Sequence, residues 1–445
     1  MLIGRWTDDE STSSGNSSRE SKKEAIEKME KIHRKYIFVV LALAALAVLV
    51  VTLISQELKF TETVIAGSPE HYTEVRHVIL KGTNFEVGKK LAEIAQRHGT
   101  QIGPTGVPLL NRAKRKYVMT NYPVMHERMK GVAAAFDLDF YDDAYDFTGL
   151  PYNLRGLPGC SVVFYPLDSS KNGHSILSRN YDFTTGNIEG KYPEGDELPV
   201  MSRPYLIELH PDRGYASLAL HCFDLLSGLI DGINSKGLAV AILAESESVS
   251  KVGREVSNEV GLGELSAMRY LLDNCKNVAE AKDAMLSLKH FYSFIPCHYI
   301  IADRSGKSFI FEFSPNRNRS YIIDGKGPQC ITNHLVFHHP DVGDVSDKKP
   351  GNSLRRYKTL ADATAEKTKY SLEEMEAINN RVAVAGRAFR DPEYAPGRTL
   401  WYAQYDLDDC TLTVRFYLGE KPDPDDDSKM ICEYSKPQTF KLKYQ

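Results

Sequence analysis

The stretch Leu157-Pro158-Gly159-Cys160-Ser161-Val162-Val163-Phe164-Tyr165 predicts the first strand of a β-hairpin around which the chain is organised. The five residues after the cysteine are β-branched, aromatic or small, as is typical of a strand. The loop at 168–173 ends in Asn-Gly, a pair that supplies positive-φ positions, and an extended pattern resumes at 174–183. With the loop centred near Lys171, Cys160 is expected opposite Asp182.

This hairpin is expected to bring a thiol, a guanidinium and a carboxylate close together. The same register puts Val163 opposite Arg179. Arg179 and Asp182 are three residues apart, so a regular strand points them to opposite faces of the sheet. Both reach the sulfur of Cys160 only if the strand bulges or bends between them.

The residues of this hairpin resemble a motif of the N-terminal-nucleophile (Ntn) hydrolases that cleave linear amides. The group in question is penicillin acyltransferase-like (peptidase C45) and is related to choloylglycine hydrolases, penicillin V acylases and acid ceramidase. Five matching pieces occur in family order: Gly159-Cys160, Arg179-Asn180-Tyr181-Asp182-Phe183, residues 231–239, Ile331-Thr332-Asn333-His334 and Ser353-Leu354-Arg355-Arg356-Tyr357. The resemblance implies an α+β fold, the four-layer αββα Ntn-hydrolase sandwich.

The resemblance also implies that the chain cuts itself between Gly159 and Cys160, so that Cys160 becomes an amino-terminal nucleophile. A free α-amine has a pKa of about 7.7–8.0 and acts as a base near neutral pH. Arg179 would favour the thiolate of Cys160, and Asp182 would orient the new amine. The alternative is a buried structural cysteine in an ordinary hairpin.

Further site residues follow from the resemblance. Asn333 is expected to donate to the oxyanion, the alternative being a strand-end cap. Ala244 stands where relatives carry an asparagine, so any donor there is a backbone N–H; Glu245 matches a glutamate of acid ceramidase-like relatives or is an exposed loop carboxylate. Arg356 matches the arginine that holds the active-site carboxylate network, and Arg355 is its close rival.

The histidines suggest two other chemistries. His334 and His338 have i,i+4 spacing and His339 follows, but Pro340 and the preceding strand disfavour the helix that a zinc site of this kind needs. We expect no metal and no organic cofactor. A papain-like thiol enzyme that uses His298 or His334 as base would be active without cleavage.

Composition describes a globular protein of 445 residues with a net charge of −4, which gives no basis for nucleic-acid binding. The seven cysteines are widely spaced and form no CxxC pair. Six remain beside Cys160. They can pair in an extracytoplasmic domain or stay reduced in the core.

The amino-terminal region predicts a membrane anchor. Residues 1–35 are polar and charged, and we expect a disordered cytoplasmic tail there. Residues 36–55 contain an uncharged apolar run, Ile37 to Ile54, long enough to span a bilayer. A cleaved signal peptide is the rival, but the preceding region is long and no A-x-A site follows. Basic residues before the run predict a single-pass type II protein with an extracytoplasmic catalytic domain.

The rest of the chain divides at the predicted cleavage site. Residues 57–159 are expected to form a helical prosegment that remains as the small subunit, with amphipathic helices at 85–97 and 124–136. Residues 160–445 are expected to form the large subunit. Its pattern of strands, then a helical pair at 265–286, then strands again suggests stacked sheets with helices outside.

Two functions from different classes remain open. The first is a membrane-anchored, self-processing cysteine hydrolase or acyltransferase that acts on a small-molecule, linear, non-peptide amide. The second is a membrane-tethered binding protein that keeps the fold without activity. The substrate does not follow from the sequence, although a membrane anchor favours lipid-like amides.

Overall fold

The computed structural model describes residues 23, 28–29, 31–42, 58–152, 159–187, 189–195, 197–245, 260–292, 296–314, 319–340, 353–385, 388–389 and 394–442. The chain forms two compact units, Met1–Glu57 and Leu58–Gln445.

In the first unit, residues 31–42 are helical. Apolar side chains of this helix are exposed, including Phe38 at 75% and Leu41 at 62%. Within the ranges given above, no helix combines the length and the apolar character needed to cross a bilayer. The predicted span at 36–55 continues beyond residue 42, and that part lies outside the described residues.

The strands of the second unit are β1 (Lys59–Gly67), β2 (Glu74–Gly82), β3 (Gly159–Tyr165), β4 (Ile176–Thr184), β5 (Tyr205–Pro211), β6 (Ser217–His221), β7 (Leu229–Asn234), β8 (Leu238–Ala244), β9 (Cys297–Asp303), β10 (Ser308–Ser314), β11 (Arg319–Asp324), β12 (Gln329–Ile331), β13 (Ala388–Phe389), β14 (Gly397–Asp406), β15 (Thr411–Asp423), β16 (Asp426–Tyr434) and β17 (Gln438–Lys441). One sheet has the order β1-β2-β5-β6-β7-β8-β9-β10-β11. The second has the order β12-β3-β4-β14-β15-β16-β13, and β17 pairs with β15.

The helices are α1 (Asn84–Arg97), α2 (Pro108–Asn121), α3 (Pro123–Ala135), α4 (Glu264–Asn274), α5 (Val278–Ser287), α6 (Ser353–Ala365) and α7 (Leu372–Asn380). Helix α1 begins with a capping box formed by Thr83 and Glu86. Helices α1, α4 and α5 pack on the first sheet, and α6 and α7 pack on β3, β4 and β12 of the second. Strand β3 also contacts β8 of the facing sheet, so the layers are helix, sheet, sheet, helix.

This arrangement confirms the predicted α+β sandwich. The apolar core lies between the two sheets and includes Cys160, Val162 and Phe164 of β3. The alternate residues Val163 and Tyr165 point to a smaller core under α6 and α7. Strand β3 is therefore buried on both faces, which explains its nearly continuous apolar sequence.

The segment before Gly159 differs from the helical prosegment expected. The helices at 84–97 and 123–135 are present, but β1 and β2 belong to the first sheet. Strand β2 pairs in parallel with β5, from Arg76 opposite Tyr205 to Gly82 opposite Pro211. The strand was missed because the polar pair at 76–77 interrupts its apolar alternation. Sheet hydrogen bonds therefore join the chain on either side of the predicted cleavage site.

A buried ionic cluster makes a second connection between these two parts of the chain. Arg128 of α3 donates from Nη1 and Nη2 to the two carboxylate oxygens of Asp273 in α4, at 2.6 and 3.1 Å. Arg269 donates to the same carboxylate at 2.8 Å, and the hydroxyl of Tyr122 donates to it at 2.5 Å. The side chains of Arg128, Arg269 and Asp273 are fully buried. Burial alone would raise the pKa of Asp273, but the two guanidinium groups outweigh it and lower that pKa.

Candidate active site

The β3–β4 hairpin has a register one residue from the predicted one. Gly159 lies opposite Asp182, Cys160 opposite Tyr181, and Val162 opposite Arg179. The predicted pairs of Cys160 with Asp182 and of Val163 with Arg179 are therefore wrong. The loop is centred half a residue earlier than expected, because β4 begins at 176 after a 3₁₀ turn at 167–169.

The two strands pair without a bulge, so the condition under which both Arg179 and Asp182 would reach the sulfur is not met. The register shift lies instead in β14, between Thr399 and Trp401, opposite β4. Arg179 and Asp182 consequently keep opposite faces of the sheet. Of these two side chains, Arg179 is the one that hydrogen-bonds to the sulfur of Cys160.

Arg179 connects the thiol to the facing sheet. Its Nη2 donates to Cys160 Sγ at 3.2 Å and to the carbonyl oxygen of Ile242 at 2.9 Å. Its Nη1 donates to the carbonyl oxygen of Ile230 at 2.6 Å. The guanidinium is fully buried and fixed by three different strands, so it presents a donor to the sulfur in one orientation.

Asp231 compensates the buried charge of Arg179, a role that the sequence analysis did not assign. Its Oδ2 lies 2.8 Å from Arg179 Nη1, and both side chains are fully buried. Tyr405 and Trp401 donate to the same carboxylate. The sequence does contain a signal for this role. Asp231 stands within the apolar strand Leu229–Asn234, and a carboxylate buried in such a strand requires a cationic partner.

Two further residues hold the backbone of Cys160. The Cys160 amide N–H donates to Oδ1 of Asn333 at 2.8 Å, and Asn333 Nδ2 donates to the carbonyl oxygen of Ala244 at 2.6 Å. Arg356 of α6 donates to the carbonyl oxygen of Cys160 at 2.5 Å and to Asn333 Oδ1 at 2.7 Å. Asn333 and Arg356, two of the predicted site residues, thus bind the backbone N–H and the carbonyl oxygen of Cys160.

Asp182 lies beside this group, on the side of α6. Its Oδ2 is 4.0 Å from Arg356 Nη1, and its Oδ1 accepts a hydrogen bond of 2.5 Å from Thr399. Burial raises the pKa of Asp182 to about 6, and Arg356 and Thr399 oppose that rise only in part. The expected partner of the Cys160 nitrogen was Asp182, but in the uncleaved chain that partner is Asn333.

The remaining predicted positions are also located. Arg355 is exposed, so Arg356 is the arginine at Cys160. Glu245 is 1% exposed and is therefore not an exposed loop carboxylate; its backbone N–H donates to Pro296. A Cβ added to Gly159 would lie 3.3 Å from Cβ of Asp182, so a larger residue would crowd the carboxylate.

His298 does not act on the thiol. Its two ring nitrogens lie 3.1 Å from Glu312 and 2.6 Å from the carbonyl oxygen of Thr332. His334 hydrogen-bonds to Ser353 at 2.9 Å. Across the described ranges, Arg179 is the hydrogen-bonding partner of Cys160 Sγ. This arrangement does not support the papain-like alternative with His298.

The electrostatic balance at the thiol favours its neutral form in this structure. Burial raises the pKa of Cys160, and Arg179 lowers it by less. All seven cysteines are free thiols in this structure, and six of them are buried. For the six cysteines other than Cys160, the structure therefore agrees with the expectation of reduced thiols rather than with that of disulfide pairs.

A sandwich of two facing sheets between helices is the arrangement of the Ntn hydrolases, and this chain has it. The family model for acyl-coenzyme A:6-aminopenicillanic acid acyl-transferase matches residues 169–421, more than half of the chain. The chain therefore belongs to this family. Arg179, Asp182, Asn333 and Arg356 lie within the matched segment, and Cys160 lies just before it.

Individual relatives have low identity to this chain. Penicillin V acylase of Pectobacterium atrosepticum is 25% identical over 190 residues, which is 40% of this chain and 50% of that protein. The chain thus matches half the length of this relative. Two solved structures are similar to this chain. The conjugated bile acid hydrolase of Clostridium perfringens has a TM-score of 0.41 and 18% identity, and the match covers 64% of this chain and 97% of that chain. Penicillin V acylase of Agrobacterium tumefaciens has a TM-score of 0.38 and 16% identity, and the match covers 58% of this chain and 83% of that chain.

Proposed function

We propose that this protein is a self-processing cysteine hydrolase or acyltransferase for linear, non-peptide amides, with Cys160 as its amino-terminal nucleophile. The observation that carries the proposal is the set of contacts around one residue. Arg179 donates to the Cys160 sulfur, Asn333 accepts from its nitrogen, and Arg356 donates to its carbonyl oxygen. A structural cysteine has no need for charged or amide partners at all three of these groups.

The first reaction is cleavage of the Gly159–Cys160 peptide bond. Sγ of Cys160 adds to the Gly159 carbonyl carbon, the C–N bond breaks, and the Cys160 nitrogen takes up the thiol proton to become an amine. Water then hydrolyses the thioester, leaving a carboxylate on Gly159 and a free thiol on Cys160. Asn333 Oδ1, which already accepts from this nitrogen, remains positioned to orient the amine.

Substrate turnover repeats the same chemistry on an external amide. The α-amine of Cys160, with an ordinary pKa of about 7.7–8.0, takes the thiol proton and passes it to the leaving amine. Arg179 stabilises the thiolate, while Asn333 Nδ2 or a backbone N–H near Ala244 stabilises the oxyanion. The Nδ2 group of Asn333 has two hydrogens, and because one of them donates to the Ala244 carbonyl, the other is the one that would serve the oxyanion. Water or an amine then accepts the acyl group, and the steps require no metal or organic cofactor.

Amino-terminal sequencing of the purified large fragment tests this proposal. The expected sequence begins Cys-Ser-Val-Val-Phe-Tyr, and the same preparation should release amine from an N-acyl-amide panel. An active preparation with Gly159 still joined to Cys160 would overturn the scheme. An intact chain that binds amides without turnover would support the tethered binding protein instead.

The processing rate is expected to rise with pH through about 6, where Asp182 ionises. Because its pKa in the folded state is above the ordinary value, Asp182 is neutral below that pH and carries its charge above it. The anion, near Arg356, is the form that supports the charged network at Cys160. Time courses between pH 4.5 and 8 should show this inflection, and Asp182→Asn should remove it. An unchanged profile in that variant would exclude Asp182 as its source.

The placement of the protein is a separate part of the proposal. We infer a single-pass type II membrane protein with its catalytic part outside the cytoplasm, and a lipid-like amide as substrate. The uncharged run at 37–54 and the exposed apolar side chains of residues 37–41 support this. Full-length protein should stay in the membrane pellet after alkaline carbonate extraction, whereas a chain that begins at residue 58 should not. Release of both would contradict the anchor.

A further inference from the structure

A polar cavity of about 260 Å³ lies where β2 and β5 begin. Arg76 of β2 and Tyr205 of β5, which are paired in the sheet, are among the residues that line it. The volume is slightly below the roughly 300–1,000 Å³ of pockets for drug-sized ligands, so the cavity suits a small molecule. None of the residues proposed for amide chemistry lines this cavity.

Two of the three arginines in the cavity are paired with its two glutamates. Arg97 Nη2 lies 2.8 Å from Glu62 Oε2. Arg76 lies 2.6 Å from Glu74 and 3.6 Å from Glu62. These pairs leave no net charge from the four side chains.

Arg203 is the third arginine, and its charge has no such balance. Its Nη1 donates to the carbonyl oxygens of Tyr72 and Ser202, at 3.0 and 2.9 Å, but neither is an anion. Among the described residues no carboxylate lies within ion-pair distance of this half-buried guanidinium. Burial lowers the pKa of Arg203, and Glu74, whose Oε1 already accepts from Arg76, compensates only in part.

His98 does not change this balance near neutral pH. Burial, and then Arg97 and Arg76, lower its pKa, and its Nε2 is hydrogen-bonded to the Tyr205 hydroxyl at 2.6 Å. Three guanidinium groups and two carboxylates therefore give the lining a net charge of +1. A ligand with one negative charge would neutralise this lining. A carboxylate suits Arg203 because its two oxygens match the N–H groups of a planar guanidinium.

We propose that this cavity is a binding site for a small monocarboxylate, which Arg203 holds as its counter-ion. Leu198, which is 54% exposed at the cavity, offers an apolar surface to the organic part of the ligand. A dianion such as inorganic phosphate is a poorer match, because its second charge would face Glu62 and Glu74 without a free cation.

Isothermal titration calorimetry of the full chain, at constant ionic strength, tests the site with benzoate, its neutral isostere benzamide and inorganic phosphate. At pH 8 benzoate should bind, and the other two should bind at least about tenfold more weakly. Benzamide has no charge to pair with Arg203, and phosphate at this pH carries a second negative charge. Arg203→Gln should weaken benzoate binding by a similar factor. Leu198→Glu, a change at an exposed position, should abolish it by adding a like charge.

The matched control is Arg213→Gln, which removes an exposed arginine that does not line the cavity. It should leave benzoate binding unchanged. The proposal is overturned if wild-type protein does not bind benzoate, if phosphate or benzamide binds as well, or if Arg213→Gln weakens binding as much as Arg203→Gln. Unchanged binding in both Arg203→Gln and Leu198→Glu would also overturn it, by placing the ligand elsewhere.

Discussion

A Cys160→Ala variant is expected to run as a single full-length band on a denaturing gel and to lose amide turnover by at least about 10³-fold. Both losses are expected from one atom, because Sγ is the proposed nucleophile for cleavage and for catalysis. The variant should fold, since alanine fills part of the same buried volume and keeps the backbone contacts to Asn333 and Arg356. Gel analysis after prolonged incubation and an amine-release assay measure the two effects.

Cys432→Ala is the matched control for this experiment. Cys432 is also a free thiol, but it lies on β16 and is only partly buried. The control should be processed and should turn over amide at the wild-type rate. Cleavage of the Cys160→Ala variant between residues 159 and 160 would rule out the thiol as the cleaving group. Any amide turnover would then have to come from another residue.

The second large effect is expected from Asp273→Ala, which should lower the free energy of unfolding by about 3–5 kcal/mol. The substitution leaves Arg128 and Arg269 buried without their common carboxylate. Such a loss is a large fraction of the roughly 5–15 kcal/mol that stabilises a typical protein. Urea unfolding should be measured in the Cys160→Ala background, where the chain stays in one piece and unfolding is unimolecular.

Asp283→Ala provides the comparison, because Asp283 is an exposed carboxylate on the next helix, α5. Its effect should stay within about 0.5 kcal/mol. Equal midpoints for the two variants would mean that the buried cluster adds nothing to stability. In a processed background, Asp273→Ala should also favour separation of the two fragments on size-exclusion chromatography, since Arg128 and Asp273 lie on opposite sides of the cleavage site.

The sandwich was predictable because its strands and helices carry strong local patterns. Strands β7 and β8 are separated by a turn with Asn234 and Gly237, and the helices at 264–274 and 278–287 repeat apolar residues at helical spacing. Helix α2 was missed because it buries only Asn111 and Val118, which leaves little periodicity to detect.

The candidate site was predictable in membership but not in geometry. Motif order was enough to bring Asn333 and Arg356 to Cys160, although they are far apart in sequence. The predicted and observed registers of the hairpin differ because the loop centre lies half a residue earlier than expected, which moves every cross-strand pair by one residue. The composition of the loop does not encode so small a difference. The hydroxyl and indole groups that donate to Asp231 and Asp182 come from β14, and pairing across a sheet between distant segments leaves no trace in local sequence.

If the chain is cut as proposed, the parallel pairing of β2 with β5 affects the stability of the resulting two-fragment protein. A chain that folds as one molecule would, once cut, have to refold from two fragments. The β1–β2 pair of the first fragment would then need to add again to β5, the edge strand that the second fragment leaves exposed. Dilution would then act as a denaturant, and the melting temperature would rise with protein concentration. Thermal unfolding would become irreversible. The time for which the protein stays active would then be set by the rate of unfolding and fragment separation rather than by the free energy of unfolding.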